Sequence, residues 1–210
     1  MGEVMGEAMG EAMDQNMDSR AVDRREFVAS LLAACPQALV VTGLGSPAYD
    51  VFAAGDRPEN FYLWGAMGGA AAIGLGLALA QPERSVLVIT GDGEALMGIG
   101  ALATIGVQRP PNLGIVILDN GHFGETGMQR SHSSLGTNLS SVARACSIAD
   151  AFDVSDMDSV AAIARRSGQR EGTFLARVAI RAEEKPRALP SRDGAFVKER
   201  FRTALGLPTF

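Results

Sequence analysis

Two short motifs carry side chains of the kind that grip a hard cation. Gly91-Asp92-Gly93 directly follows the apolar run Ser85–Thr90, and Asp119-Asn120 closes the apolar run Leu113–Leu118. The 25 residues between the motifs leave room for one helix and one strand. Continuous apolar runs of this length mark strands buried on both faces. Asp92 and Asn120 are therefore expected on neighbouring loops at one sheet edge. A carboxylate, an amide oxygen and a backbone carbonyl are hard donors. Magnesium takes such ligands sparingly and completes its octahedron with phosphate oxygens and water. Gly93 lets a phosphate approach the backbone, and the amides opening a helix at Glu94 supply donors and a favourable dipole. A Gly-Asp-Gly turn alone is common. The matched Asp-Asn after a second strand is what makes the pair read as a magnesium–diphosphate cradle.

The elements that must position these motifs follow from punctuation and periodicity. A helix is expected over Ala21–Cys35, stopped by Pro36, then a strand over Ala38–Thr42 and a short helix opened by Pro47. Strand Asn60–Trp64 precedes a Gly/Ala helix over Gly68–Ala80, and a further helix is expected over Glu94–Gly106. Gly121–Thr137 reads as a polar loop, followed by helix Ser140–Ile148, strand Ala151–Val154, helix Asp156–Ser167, strand Thr173–Ile180 and a terminal helix Asp193–Ala204. Strands alternating with helices imply an α/β fold, a doubly wound parallel sheet with helices on both faces. Ligands in such sheets sit beyond the carboxyl ends of the strands, which places the loops after Thr42, Trp64, Thr90 and Leu118 together. Gly43-x-Gly45-x-x-Ala48 superficially fits a dinucleotide fingerprint. The acidic residue that fingerprint needs about 20 positions on is missing, because Leu63, Trp64 and Gly65 stand there. A glycine turn into a short helix is the better account.

Composition narrows the partners. The chain has 210 residues, 47% of them hydrophobic and 20% charged, which excludes disordered, collagen-like and coiled-coil classes. Nineteen basic against 24 acidic residues give a net charge of −5, which argues against nucleic acid as the main partner. Cys35 and Cys146 are too few for a disulfide framework and read as small apolar residues in a reducing, cytoplasmic setting. Phe61–Ala80 runs twenty residues without a charge, but five glycines break it, so it is expected as a core element rather than a membrane span. Residues 1–20 form an acidic Met/Gly leader, expected to be disordered, ahead of one domain over residues 21–210.

With these motifs in place, the chain resembles a known family. Gly91-Asp92-Gly93 with Asp119-Asn120 resembles the signature of thiamine diphosphate-dependent enzymes, in a variant where Asp119 replaces the first of two asparagines. Gly65-Ala66-Met67-Gly68 resembles the segment before it. The stretches Asn60–Gly68, Ile73–Ala80, Asp119–Gln129 and Lys198–Phe201 are similar to the beta subunits of sulfopyruvate decarboxylases, with phosphonopyruvate decarboxylases as near relatives. The resemblance implies a diphosphate-binding domain and the cofactors thiamine diphosphate and Mg2+. It implies Asp92, Asn120 and the carbonyl of His122 as metal ligands. It further implies that the Gly65 carbonyl accepts a bond from the cofactor's amino group, and that Met67 is an apolar wedge beneath it. Gly68, Gly91, Gly93, Glu94 and Phe123 complete the expected cofactor site.

The resemblance also implies what is missing. Such enzymes activate the cofactor with a glutamate on a pyrimidine-binding domain, and this chain carries only the diphosphate half. A partner alpha subunit with that domain, and hence a hetero-oligomer, is the expectation. The reaction implied is non-oxidative decarboxylation of a small anionic 2-oxo acid, with sulfopyruvate giving sulfoacetaldehyde and carbon dioxide. The substrate's second anionic group needs a cation, for which His122, Arg130 and His132 are candidates on the loop after Asn120. Glu125 is either a proton relay or a favourable charge at a helix start, and His132 shares the catalytic candidacy. An acetolactate-type carboligase subunit and a degenerate scaffolding subunit stay open. Ferredoxin-coupled oxidoreductases are disfavoured because two cysteines hold no cluster.

Overall fold

Apolar residues on both sides of a strand must be covered on both sides, and the chain meets that demand with helices on each face. The computed structural model describes residues 21–208. The leader expected over residues 1–20 lies outside them. In chain order the elements are α1 (Arg24–Ala34), β1 (Leu39–Thr42), α2 (Ser46–Ala53), β2 (Asn60–Tyr62), α3 (Ala70–Ala80) and β3 (Val86–Gly91). Then come α4 (Asp92–Met97), α5 (Ala101–Gln108), β4 (Leu113–Asp119), β5 (His122–Phe123) and β6 (Gln129–Arg130). The chain closes with α6 (Leu139–Ala145), β7 (Asp150–Val154), α7 (Ser159–Gln169), β8 (Phe174–Ala179) and α8 (Gly194–Ala204). Six strands form one sheet in the order β2-β1-β3-β4-β8-β7. Every pairing in it is parallel.

The period-2 alternation of strand side chains divides the interior into two cores. Val40, Leu87, Ile89, Val116 and Val178 face α1, α2 and α7, where Phe27, Leu31, Val51 and Ile163 meet them. Val41, Val88, Ile115, Ile117 and Leu175 face the other way, onto Leu75 of α3, Ile105 of α5, Leu139 of α6 and Phe201 of α8. The uncharged run Phe61–Ala80 resolves into the end of β2, a turn and the eleven-residue α3. Among the described residues no helix is long and apolar enough to cross a membrane.

Three local expectations are corrected. The helix expected over Glu94–Gly106 is two helices, α4 and α5, separated at Gly98-Ile99-Gly100. The break occurs where the backbone of Gly98 lies against that of Gly68, so close that a Cβ on Gly98 would overlap the Gly68 carbonyl. The loop expected over Gly121–Thr137 contains the antiparallel β5–β6 hairpin and two 3-10 turns, Gly124–Thr126 and His132–Leu135. Strand β2 also ends at Tyr62, short of Trp64.

A buried ion pair fixes α1 against α2 beside the carboxyl edge. Asp50 is fully buried and accepts from the Arg24 guanidinium and, at 3.0 Å, from Arg25 Nε. Arg24 is itself buried and also reaches the Ser46 carbonyl. Removing one partner of such a pair strands the other charge without solvent. Asp50→Ala is therefore expected to cost about 3–5 kcal/mol in urea unfolding, and a loss below about 1 kcal/mol would contradict the assignment.

Candidate active site

From β1 the chain passes through α2 to β2 on one side, while from β3 it passes through α4 and α5 to β4 on the other. Such a switch point opens a crevice between the carboxyl ends of the two strands. A cavity of about 250 Å³ occupies it. Of the residues singled out in the sequence, Met67, Gly91, Asp92, Gly93, Glu94, Asn120, His122, Phe123 and Glu125 line its wall. Gly65, Gly68, Arg130 and His132 lie outside the wall. Gly65 sits in the exposed turn after β2 at φ +75°, a conformation that favours glycine.

Asp92 is the electrostatic centre of the site. It is 2% exposed, and no Lys or Arg among the described residues pairs with it. Its Oδ2 accepts from the Ser131 hydroxyl and lies 3.1 Å from Ser133 Oγ. Ser133 Oγ also approaches Asp119 Oδ1 at 2.7 Å, so one hydroxyl bridges two buried carboxylates. Burial, and then the nearby Asp119 charge, push the Asp92 carboxyl up to about 6, against the serine bonds that favour its ionised form. Asp119 is neutralised from the adjacent strand: Arg177 Nε on β8 lies 2.5 Å from its Oδ2. Burial pulls the Arg177 guanidinium down, but the charges and hydrogen bonds of Asp119 and Asp153 together raise it. Asp92 is the carboxylate left without a cation.

Asn120, His122 and Phe123 leave the end of β4 together. The Asn120 side-chain oxygen accepts from the His122 amide at 2.9 Å, and the His122 ring Nδ1 lies 2.7 Å from the Asn120 carbonyl. An amide oxygen has a second lone pair, so this turn leaves Asn120 able to accept once more. Phe123 packs over Gly93, where an added Cβ would meet its ring at 2.6 Å. The absent side chain at Gly93 thus admits a protein ring as well as any phosphate.

Glu94 acts through its side chain, a role that the expected helix start did not suggest. The helix beside it begins at Asp92, and the Glu94 carboxylate, 4% exposed, turns toward α3. It accepts from the Gly68 and Ala70 amides at 3.1 and 3.0 Å. Helix α3 has no side-chain cap of its own, so the carboxylate 24 residues away serves as one. Gly43 of the β1 loop lies against the same carboxylate and against Thr90 Oγ1, at a distance no Cβ would allow. One side chain therefore fastens the loops after β1, β2 and β3. Burial pushes the Glu94 carboxyl up, and the backbone donors of residues 68–70 oppose it.

The remaining candidates separate. Glu125 lies on the cavity rim, next to Gly45, and forms an ion pair with Arg187 at 3.2 Å. Arg130 turns back onto Ser134, contacting its hydroxyl at 3.2 Å and its carbonyl at 2.6 Å. His132 opens an exposed 3-10 turn. Arg130 ends the returning strand of the hairpin and His132 follows it, and neither lines the cavity. Residues the sequence reading passed over also line it: Arg24, Leu44, Ser46, Pro47 and Met97. Ser46 opens α2, whose first turn faces the same space and adds a second helix N-terminus to the wall. Arg177 carried one signal, a lone charge inside an apolar strand.

Residues 48–187 match the family described as thiamine pyrophosphate enzyme, C-terminal TPP binding domain. The chain is 44% identical over 110 residues to the sulfopyruvate decarboxylase subunit beta of Methanocaldococcus jannaschii, covering 52% of this chain and 58% of that protein. It is 37% identical over 184 residues to the phosphonopyruvate decarboxylase of Streptomyces viridochromogenes, covering 85% of this chain and 45% of that protein. The chain thus spans about half the length of these curated relatives. The thiamine diphosphate-dependent 4-hydroxybenzoylformate decarboxylase of Rhodococcus jostii shares the fold, with TM-score 0.66, 20% identity, and coverage of 79% of this chain and 34% of that one.

Loss of the Glu94 clamp has a measurable cost. Glu94→Ala removes two bonds from backbone amides to a buried charged acceptor and is expected to lower unfolding stability by about 2–3 kcal/mol. Glu94→Gln keeps an acceptor oxygen and is expected to recover part of it. Equal stability of Glu94→Ala and the parent chain in urea unfolding would contradict the clamp.

Proposed function

The chain belongs to the thiamine pyrophosphate enzyme family, through the C-terminal TPP binding domain over residues 48–187, and from that premise we propose that it is the beta subunit of a decarboxylase acting on an anionic 2-oxo acid such as sulfopyruvate. The observation that carries the proposal is the meeting of Asp92 and Asn120 in one cavity at the switch point of the sheet. The donors fit a hard divalent cation. Asp92 is a buried carboxylate without a counter-charge, and burial together with the neighbouring Asp119 charge raises its pKa. Among the described residues no three His, Cys, Asp or Glu side chains gather as a metal cluster. A cation here would draw on one carboxylate, amide and carbonyl oxygens, and the oxygens of a ligand, which suits Mg2+.

Asp92, the Asn120 side-chain oxygen and the His122 carbonyl would hold Mg2+, and the amides of Gly91–Glu94 and of Ser46 would meet the diphosphate. Gly65 and Met67 would support the pyrimidine end of thiamine diphosphate. When bound, the cofactor supplies the electron sink that lets carbon dioxide leave a 2-oxo acid. The protein's own contribution is to orient the cofactor, exclude water with Met67, Met97 and Phe123, and hold Glu125 at the rim for proton traffic. Met67 and Met97 are 41% and 63% exposed although both line the cavity. Apolar side chains left open at a binding site support a second chain covering it. That chain would be an alpha subunit carrying the pyrimidine-binding domain and the activating glutamate. The name of the Methanocaldococcus relative, a subunit beta, points the same way.

The test uses this chain assembled with such a partner. The complex is expected to bind thiamine diphosphate with Mg2+ at micromolar concentration in calorimetry and to release carbon dioxide and sulfoacetaldehyde from sulfopyruvate, while the isolated chain does neither at comparable rates. Asp92→Ala or Asn120→Ala is expected to weaken cofactor binding at least ~100-fold. Formation of an acetohydroxy acid from pyruvate, without aldehyde from sulfopyruvate, would assign carboligation instead. No cofactor binding by the assembled complex would overturn the proposal.

A further inference from the structure

The substrate proposed above carries a carboxylate and a second acidic group, and the second group needs a cation near the cavity. The structure removes two obvious suppliers. Arg130 is bound to Ser134 and His132 lies outside the wall. Arg24 lines the cavity, but its charge is committed to buried Asp50. A different cation reaches the rim from the segment joining β8 to α8, residues 181–193. Arg187 places its guanidinium 3.2 Å from Glu125, a wall residue.

That segment has no regular secondary structure but is pinned on both sides of Arg187. Lys185 Nζ lies 2.5 Å from Asp23 Oδ2, and Arg25 donates to the Pro186 carbonyl at 2.8 Å. On the far side Trp64 Nε1 donates to the Ser191 carbonyl at 2.8 Å, and Asp193 caps α8. Between these anchors Arg187 keeps a side chain 62% exposed. Arg192 lies 5.4 Å above the Trp64 ring and, among the described residues, has no carboxylate partner. Tyr49 registers all three charges. Burial, and then Glu125, push its phenol up, while Arg187 and Arg192 oppose them. Tyr49 and Trp64 are themselves 6.4 Å apart between ring centroids. Neither guanidinium lines the cavity wall itself, but Arg187 contacts the wall residue Glu125 and Arg192 stands over Trp64 beside Tyr49, in an otherwise acidic protein.

We infer that Arg187, backed by Arg192, recognises the second acidic group of the substrate, a sulfonate or phosphonate, and that Glu125 holds Arg187 at the rim until that group takes its place. The inference rests on the decarboxylase reading. An exposed Glu–Arg pair is weakly held, so exchange for a tetrahedral oxyanion that accepts two parallel N–H bonds is favourable. A 2-oxo acid without a second charge makes no such exchange. The pair would therefore select substrate rather than bind cofactor.

The assembled complex tests this with sulfopyruvate, phosphonopyruvate and pyruvate in parallel. In Arg187→Gln the ratio of kcat/KM for the preferred dianionic substrate to that for pyruvate is expected to fall about 10- to 100-fold, mainly through KM. Arg187→Lys is expected to restore part of the ratio, because it keeps the charge and loses the fork. Whichever of sulfopyruvate and phosphonopyruvate loses more identifies the acidic group. A ratio within about threefold of the parent complex, or a loss shared equally by all three substrates, would overturn the inference and leave the decarboxylase reading standing. A parent complex that decarboxylates none of the three would overturn both.

Discussion

Two carboxylates buried within reach of one serine hydroxyl set the terms for the rest of this molecule. Asp92 and Asp119 leave adjacent parallel strands, and Ser133 touches both. Like charges at this separation in a region of low dielectric are costly unless each is compensated. Arg177 compensates Asp119 from β8 and is itself steadied by Asp153 on β7 at 3.4 Å. Nothing among the described residues plays that part for Asp92. The protein thus holds one charge in balance and keeps its neighbour available to a cation. On this account, replacing an asparagine with Asp119 does not add a metal ligand; it adds a charge that Arg177 absorbs.

The loops around that centre are held by close backbone approaches more than by side-chain bulk. Gly43 leaves room for Glu94, Gly93 for Phe123, and Gly98 for the Gly68 backbone. Each contact joins loops that follow different strands, so the carboxyl edge behaves as one unit. Glu94 tightens the arrangement by capping α3 from the loop that presents Asp92. The consequence for function is positional coupling. The segment bearing Met67 cannot shift far without disturbing the segment bearing Asp92, and a ligand touching both would meet a preformed gap.

Much of this was legible in the sequence because parallel sheets bring the ends of buried strands to a common edge. The apolar runs before Gly91 and Asp119 had the right length and separation, and the cavity wall includes the residues at their ends. Other features depend on which strands become neighbours. Strand β8 inserts between β4 and β7, and only that order brings Arg177 to Asp119. Element order along the chain does not specify it. The break between α4 and α5 was hidden for a similar reason. Met97 through Leu102 reads as a continuous helical surface, and the contact that interrupts it comes from Gly68, thirty residues earlier. Proximity in sequence to Asn120 suggests Arg130 and His132 as cavity residues, but only the outgoing strand of the hairpin and its turn line the wall; Arg130 on the returning strand and His132 in the 3-10 turn after it lie outside.

The most direct measurement is anomalous diffraction from crystals of the assembled complex grown with thiamine diphosphate and Mn2+ in place of Mg2+. The account predicts a single strong manganese peak coordinated by the Asp92 carboxylate, the Asn120 side-chain oxygen and the His122 carbonyl, with the diphosphate completing the shell and Arg177 still on Asp119. Manganese bound elsewhere, or cofactor bound while Asp92 keeps only its serine contacts, would contradict it.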